Sequence, residues 1–143
     1  MDKLSRELAV SREYVYHYVE YLEQAGLITN LYRDARGSAL VRKPGKIFME
    51  NPSILTAAAG QVRTRAETGT MRETFFACQV GPVMELRLHE KADFLVDGQY
   101  VIEVGGRSKN AEEYGIPDLI AALDDIEIGA GQRIPLYLFG FLY

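Results

Sequence analysis

The sequence is short of several things, and each shortage excludes something. Its 143 residues hold one cysteine, Cys78. That excludes an internal disulfide framework and any zinc cluster built on several cysteines. Long apolar runs are missing: the longest, 134–143 (IPLYLFGFLY), is about half of what a membrane helix needs. The opening residues, MDKLSRELAVSRE, are too polar for a secretory signal. Positive charge is not in excess, with 16 Lys and Arg against 20 Asp and Glu, so the chain is no polycationic coat for nucleic acid. Hydrophobic residues at 48% and charged residues at 25% exclude wholesale disorder. A cytoplasmic protein without membrane segments is expected.

What is present is unevenly spread. Residues 1–60 carry eight Lys and Arg against seven Asp and Glu, and residues 61–143 carry eight against thirteen. Arg33, Arg36, Arg42, Lys43 and Lys46 crowd together with only Asp34 opposing them. The asymmetry predicts two units, residues 1–55 and 56–143.

The first unit reads as a winged helix-turn-helix. Leu4, Leu8 and Val10 mark a short helix. Ser11 can cap a second helix, on which Val15, Tyr18, Val19 and Leu22 share a face, and Gly26 would end it. Two helices joined by so little chain must cross sharply. LITNLYRD and KIFMEN read as strands around the loop ARGSALVRKPG, a wing. Such a unit binds DNA by placing its second helix in the major groove, with Arg33, Arg36, Arg42, Lys43 and Lys46 on phosphate. Glu13 and Glu20 lie on the exposed face of that helix and would repel the DNA backbone; the other reading is a packing or docking module. Only Met1–Ser5 precede the motif's first helix, so the unit is expected to be truncated and the chain to be part of something longer.

The second unit reads as a restriction-endonuclease-like α/β domain. MRETFFACQV predicts a buried helix carrying Glu73, KADFLV a strand, and QYVIEV a second strand after an Asp-Gly turn signal. Weak alternation predicts cover on both faces of these strands. Asp93 and Glu103 on adjacent strands, with Glu73 from a helix, are the hard oxygen ligands by which such a core holds Mg2+. Asp93 and Glu103 are the candidate metal ligands. The pattern normally continues Glu-x-Lys, but here Glu103 is followed by Val104 and Gly105, and glycine supplies no charge. Lys109 or Lys91 would have to reach back. The pairing also needs a loop of odd length at 96–99. A strict two-residue turn at Asp97-Gly98 would set Asp93 opposite Ile102 and point Glu103 to the other face. The competing reading leaves Asp93 paired with Arg87 or Lys91, and Glu103 with Arg107.

Other residues carry less. Cys78 lies in an apolar run and reads as an inert buried thiol. His89, just before the Asp93 strand, reads as structural. Asp124, Asp125 and Glu127 read as a solvated turn between strands. Nine tyrosines, several in the first unit, could form a surface for a partner.

KADFLVDGQYVIEVGGRSK and DDIEIGAGQRIPLYLFGFLY resemble the C-terminal region of a family of prokaryotic AAA-type ATPases. LSRELAVSREYVYHYVEYLEQAGLI is similar to that family's winged helix, and KIFMENPSILTAAAG to its linking segment. The resemblance spans nearly the whole chain. It implies a winged helix followed by a degenerate PD-(D/E)XK nuclease-like domain, attached to an ATPase module. That module is not in this sequence. No G-x-x-x-x-G-K-[ST] stretch occurs, since Lys43-Pro44-Gly45-Lys46 lacks the upstream glycine and is followed by Ile47. The chain itself is expected to hold no ATP and no other cofactor. The resemblance maps the nuclease-like pattern to Glu73, Asp93 and Glu103, with Gly105 departing from it. A non-catalytic regulatory or interaction region is therefore expected, with DNA as a candidate partner. The alternative is a metal-dependent phosphodiesterase that uses Glu73, Asp93, Glu103 and a relocated Lys109.

Overall fold

The computed structural model describes residues 2–33 and 43–142. Arg36 and Arg42 of the basic group lie outside the described residues. The chain begins with helix α1 (Asp2–Glu7) and helix α2 (Arg12–Gln24). Ser11 caps α2, its Oγ accepting from Tyr14 N at 3.4 Å. Gly26, at φ +65°, supplies the left-handed residue just past the helix. The expected apolar face is covered only in part. Val15 and Val19 are buried, whereas Tyr18 and Leu22 stay exposed, as do Leu4 of α1 and Leu8 just beyond it. One small hairpin beside α2 cannot cover a full helical face.

That hairpin pairs β1 (Ile28–Leu31) with β2 (Lys46–Met49), antiparallel, with Ile28 opposite Met49. Asn51 caps helix α3 (Pro52–Gln61), its Oδ1 accepting from Ile54 N at 3.0 Å. Helix α4 (Thr68–Val80) follows and buries Thr74, Phe76, Ala77 and Val80. Five strands form the main sheet: β3 (Leu86–Leu88), β4 (Phe94–Val96), β5 (Tyr100–Gly105), β6 (Ile120–Leu123) and β7 (Arg133–Pro135). They lie in sequence order. The β3–β4 and β4–β5 pairs are antiparallel, and the β5–β6 and β6–β7 pairs are parallel. The chain is thus mixed α/β with one five-stranded mixed sheet. Residues 136–141 close it as a 3-10 helix.

The core is aromatic at its centre. Phe94 has no exposed surface and meets Phe76 at 5.0 Å and Phe48 at 5.8 Å between ring centres. Phe139 adds an edge on Phe76 at 4.8 Å. Leu31 and Phe48, from the β1–β2 hairpin, belong to the same buried cluster as Phe94, Ile102 and Val104 of the main sheet. Just beyond β1 the chain also joins the sheet edge, where Leu88 N donates to Tyr32 O at 2.8 Å. The core therefore runs continuously across residue 55. No helix among the described residues is long and apolar enough to cross a membrane.

Candidate functional site: a carboxylate and lysine network

The β4–β5 register decides whether the two strand carboxylates meet. Phe94 pairs with Ile102, Leu95 with Val101, and Val96 with Tyr100. That leaves Asp97, Gly98 and Gln99 as the loop, an odd number. Asp97 at φ 50° and Gly98 at φ 68° take the left-handed turn, closed by Gln99 N donating to Val96 O at 3.1 Å. Gln99 is the extra residue that shifts the register. One step back from Phe94 and one step on from Ile102, Asp93 then stands opposite Glu103.

The two residues are tied reciprocally through their backbones. Asp93 N donates to Glu103 Oε2 at 3.1 Å, and Val104 N donates to Asp93 Oδ2 at 3.0 Å. Glu103 is buried, at 3% exposure, which would be costly for an unpartnered carboxylate. Its partners are the Lys109 ammonium, paired with Oε1, and the Tyr114 hydroxyl, donating to Oε1 at 2.8 Å. The expected Arg107 does not take this place.

Lys109 reaches Glu103 because Gly105 leaves it room. A β-carbon at Gly105 would overlap Lys109 Cδ and approach its Cβ at 3.0 Å and Cγ at 3.1 Å. The position that breaks the Glu-x-Lys spacing is thus the opening through which a later lysine returns. Burial works to lower the Lys109 pKa, but the hydrogen bond and charge of Glu103, then Tyr114 and Asp93, hold it well above its ordinary value. Burial, then the hydrogen bond to Glu103, raise the Tyr114 phenol as well.

Lys46 closes the other end. Its Nζ donates to Glu73 Oε2 at 2.8 Å and stands 3.6 Å from Asp93 Oδ1. Burial alone would lower its pKa; Glu73 and then Asp93 outweigh this and raise it. Lys46, read from the sequence with the phosphate-binding group, lies on β2 and turns to the carboxylates. Lys46 stands at the Asp93 carboxylate, where the competing reading put Arg87 or Lys91, and Arg87 pairs with Glu85 at 2.6 Å. No local spacing could have found this contact, because Lys46 and Glu73 lie 27 positions apart. Tyr114 also went unforeseen.

Glu73, Asp93, Glu103 and Lys109 thus belong to one network, running from Glu73 through Lys46 and Asp93 to Glu103 and Lys109. The Lys46 ammonium bridges Glu73 and Asp93, and the backbone ties Asp93 to Glu103. No group of three or more His, Cys, Asp or Glu suited to a metal ion occurs among the described residues. An ammonium stands between Glu73 and Asp93, and each oxygen of Asp93 and of Glu103 has a partner within the chain.

The remaining candidates resolve as follows. Arg33 and Lys43 are exposed, and Arg33 packs its Cγ over Gly45. His89 is structural: its Nδ1 accepts from Lys91 N at 3.2 Å and Ala92 N at 3.1 Å, shaping the turn before β4. Cys78 is half-buried, donates from Sγ to Phe75 O at 3.2 Å, and is pushed up in pKa chiefly by burial, which opposes thiolate formation. Asp124 and Asp125 bracket Arg72, at 2.9 and 3.2 Å. Comparisons with protein-family models, curated proteins and solved structures return no match to this chain.

Proposed function

We propose that this chain is a non-catalytic regulatory or interaction region of a larger AAA-type ATP-dependent protein. In this reading its first part is a winged helix used for docking. Its second part is a restriction-endonuclease-like core kept as an interaction platform. The order of two helices and a two-stranded hairpin supports the first assignment. An antiparallel β4–β5 pair carrying Asp93 and Glu103, followed by a parallel β6 and preceded by α4 carrying Glu73, supports the second. The tie to an ATPase rests on the sequence resemblance alone. A P-loop reading frame continuous with this one upstream would support it.

The observation that carries the non-catalytic reading is the use of the carboxylates. Every oxygen of Asp93 and Glu103 is engaged by the chain itself: Lys46, Val104 N, Asp93 N, and Lys109 with Tyr114. A hydrolytic site needs such oxygens for a metal ion or a water. The test is Mn2+ titration by calorimetry together with nicking of supercoiled plasmid. The expected result is no saturable metal binding and no nicking. Metal binding abolished by Asp93→Asn, accompanied by nicking, would overturn it.

That outcome would install the second reading, a metal-dependent phosphodiesterase. One observation favours it: Lys109 Nζ lies on Glu103, bringing ammonium charge to the carboxylate whose Glu-x-Lys lysine is missing. Loss of nicking in Lys109→Met with metal binding retained would assign that role to Lys109.

A further inference from the structure

β6 and β7 are parallel, so residues 124–132 between them must carry the chain back along the sheet. This return is anchored at several points. Asp124 N donates to Gly105 O at 2.8 Å, and the Tyr137 hydroxyl donates to Glu127 O at 3.0 Å. Ala130 and Arg133 exchange both backbone bonds, at 3.0 and 3.1 Å, around Gly131 at φ +59°. Gly129 passes so close to the last strand that a β-carbon on it would stand 2.6 Å from Arg133 O. Together with Arg107, just past β5, the return frames a cleft of about 520 Å3. That size lies within the range of about 300–1,000 Å3 in which proteins seat small ligands.

Two guanidinium groups line the cleft, Arg107 and Arg133. Arg133 is held in place by the chain itself: its Nη2 donates to Arg107 O at 3.0 Å, which uses one of five donors. Among the described residues neither arginine forms an ion pair with a carboxylate. The lining carboxylates are Asp125 and Glu127, and Asp125 is matched by Arg72 at 3.2 Å. Two arginines against the one remaining carboxylate leave a single positive charge. Beside that charge lie Ile126 and Ile128. Ile128 is 86% exposed, more than any other large apolar side chain among the described residues. Covering it with hydrocarbon is favourable, and the anchored loop holds it ready for that.

An arginine pair grips a planar anion through parallel N–H donors. One net positive charge suits a monoanion better than a dianionic phosphate, and Glu127 repels a nucleic-acid backbone. The two isoleucines call for an apolar body next to the anion. We propose that this cleft binds a carboxylate carried on a branched apolar body. Arg107 and Arg133 would hold the carboxylate, and Ile126 and Ile128 would cover the hydrocarbon. Small organic acids and the last residue of a peptide chain both have this chemistry, and the test separates them.

The inference goes beyond the reading above and does not rest on it, because neither arginine belongs to the carboxylate network. Nicking activity would overturn the non-catalytic reading and leave the cleft as it is. The test is NMR titration of the full nitrogen-labelled chain with isocaproate and, separately, with acetyl-glycyl-leucine. Saturable shifts are expected at the amides of Arg107, Ile128 and Arg133. Tighter binding of the dipeptide assigns the cleft to a chain terminus; equal or tighter binding of isocaproate assigns it to a small acid. Arg107→Gln should weaken binding about tenfold, as loss of one charge-assisted contact implies. Ile128→Ser should weaken it about threefold through lost apolar cover. Both positions are exposed, and an unchanged amide spectrum away from the cleft confirms the fold. The control Arg12→Gln, on α2, should bind like wild type. No saturable shifts, shifts centred elsewhere, or an unchanged affinity in Arg107→Gln would each overturn the proposal. So would equal affinity for the carboxamides of the two ligands, or tighter binding of inorganic phosphate.

Discussion

The side chain of Lys109 lies across Gly105, filling the space where a β-carbon would stand, and ends on the Glu103 carboxylate. Gly105→Ala should therefore destabilise the chain, by about 1–3 kcal/mol, as overpacking at a buried position does. The variant should cost far less in a Lys109→Ala background, where Cγ and Cδ are gone. A double-mutant cycle by urea denaturation should give a coupling of about 1 kcal/mol or more between the two positions. Strict additivity would mean that Lys109 does not use this path.

Some of this was legible before the structure. The two-residue period of strands made the pairing of Asp93 with Glu103 conditional on an odd loop at 96–99, and the three-residue loop 97–99 meets that condition. The helix start at Ser11 and the stop at Gly26 were local signals. Lys46 was not legible, because its partners come from α4 and the start of β4, and linear order carries no trace of that meeting. Its basic neighbours Arg42 and Lys43 pointed instead to a phosphate-binding loop. The exposed Tyr18 and Leu22 show the limit of periodicity: it finds the apolar face of a helix but not what covers it.

Lys109 also sets an alkaline limit. Its pKa in the folded chain lies above the ordinary 10.5, so folding favours the protonated form. The resulting stability is fully present below pH 10.5 and fades as pH rises through the folded value. Lys46 shifts in the same direction and adds to the effect. Urea midpoints should fall from about pH 10.5 upward, and the fall should be shallower in Lys109→Met. At neutral pH the same variant should be less stable by about 1–3 kcal/mol, because Glu103 keeps its burial without its counter-charge. An identical alkaline slope in wild type and variant would refute the assignment.

The shared aromatic core predicts cooperativity between the two halves. Phe48 from the hairpin touches Phe94 from the main sheet, and Phe94 stacks on Phe76. Phe94→Ala should cost about 3–5 kcal/mol, the usual penalty for emptying a buried aromatic site. Helix loss by circular dichroism and tyrosine fluorescence should trace one urea transition, since most tyrosines lie near α2 and β1 while much of the core lies in the main sheet. Two separated transitions would show that residues 1–55 fold apart from the remainder.

Within the described part of the basic group, Lys46 differs from Arg33 and Lys43 in having carboxylate partners. Lys46 is committed to Glu73 and Asp93, whereas Arg33 and Lys43 are exposed. If the chain binds DNA, Lys43→Glu combined with Arg42→Glu should weaken binding and flatten its dependence on salt. For every phosphate no longer neutralised, the log–log slope should shrink by about 0.9. Lys46→Met should leave both the affinity and the slope unchanged. It should lower stability by no more than about 1 kcal/mol, the range for a pair with this much solvent access. The carboxylates of α2 act against DNA throughout: Glu13→Gln with Glu20→Gln should strengthen any duplex binding by removing repulsion. Should Lys46→Met instead reduce the salt slope as much as the Lys43 variant does, its ion pairs would not persist in solution. The carboxylate network would then be without the cation on which its closed state depends.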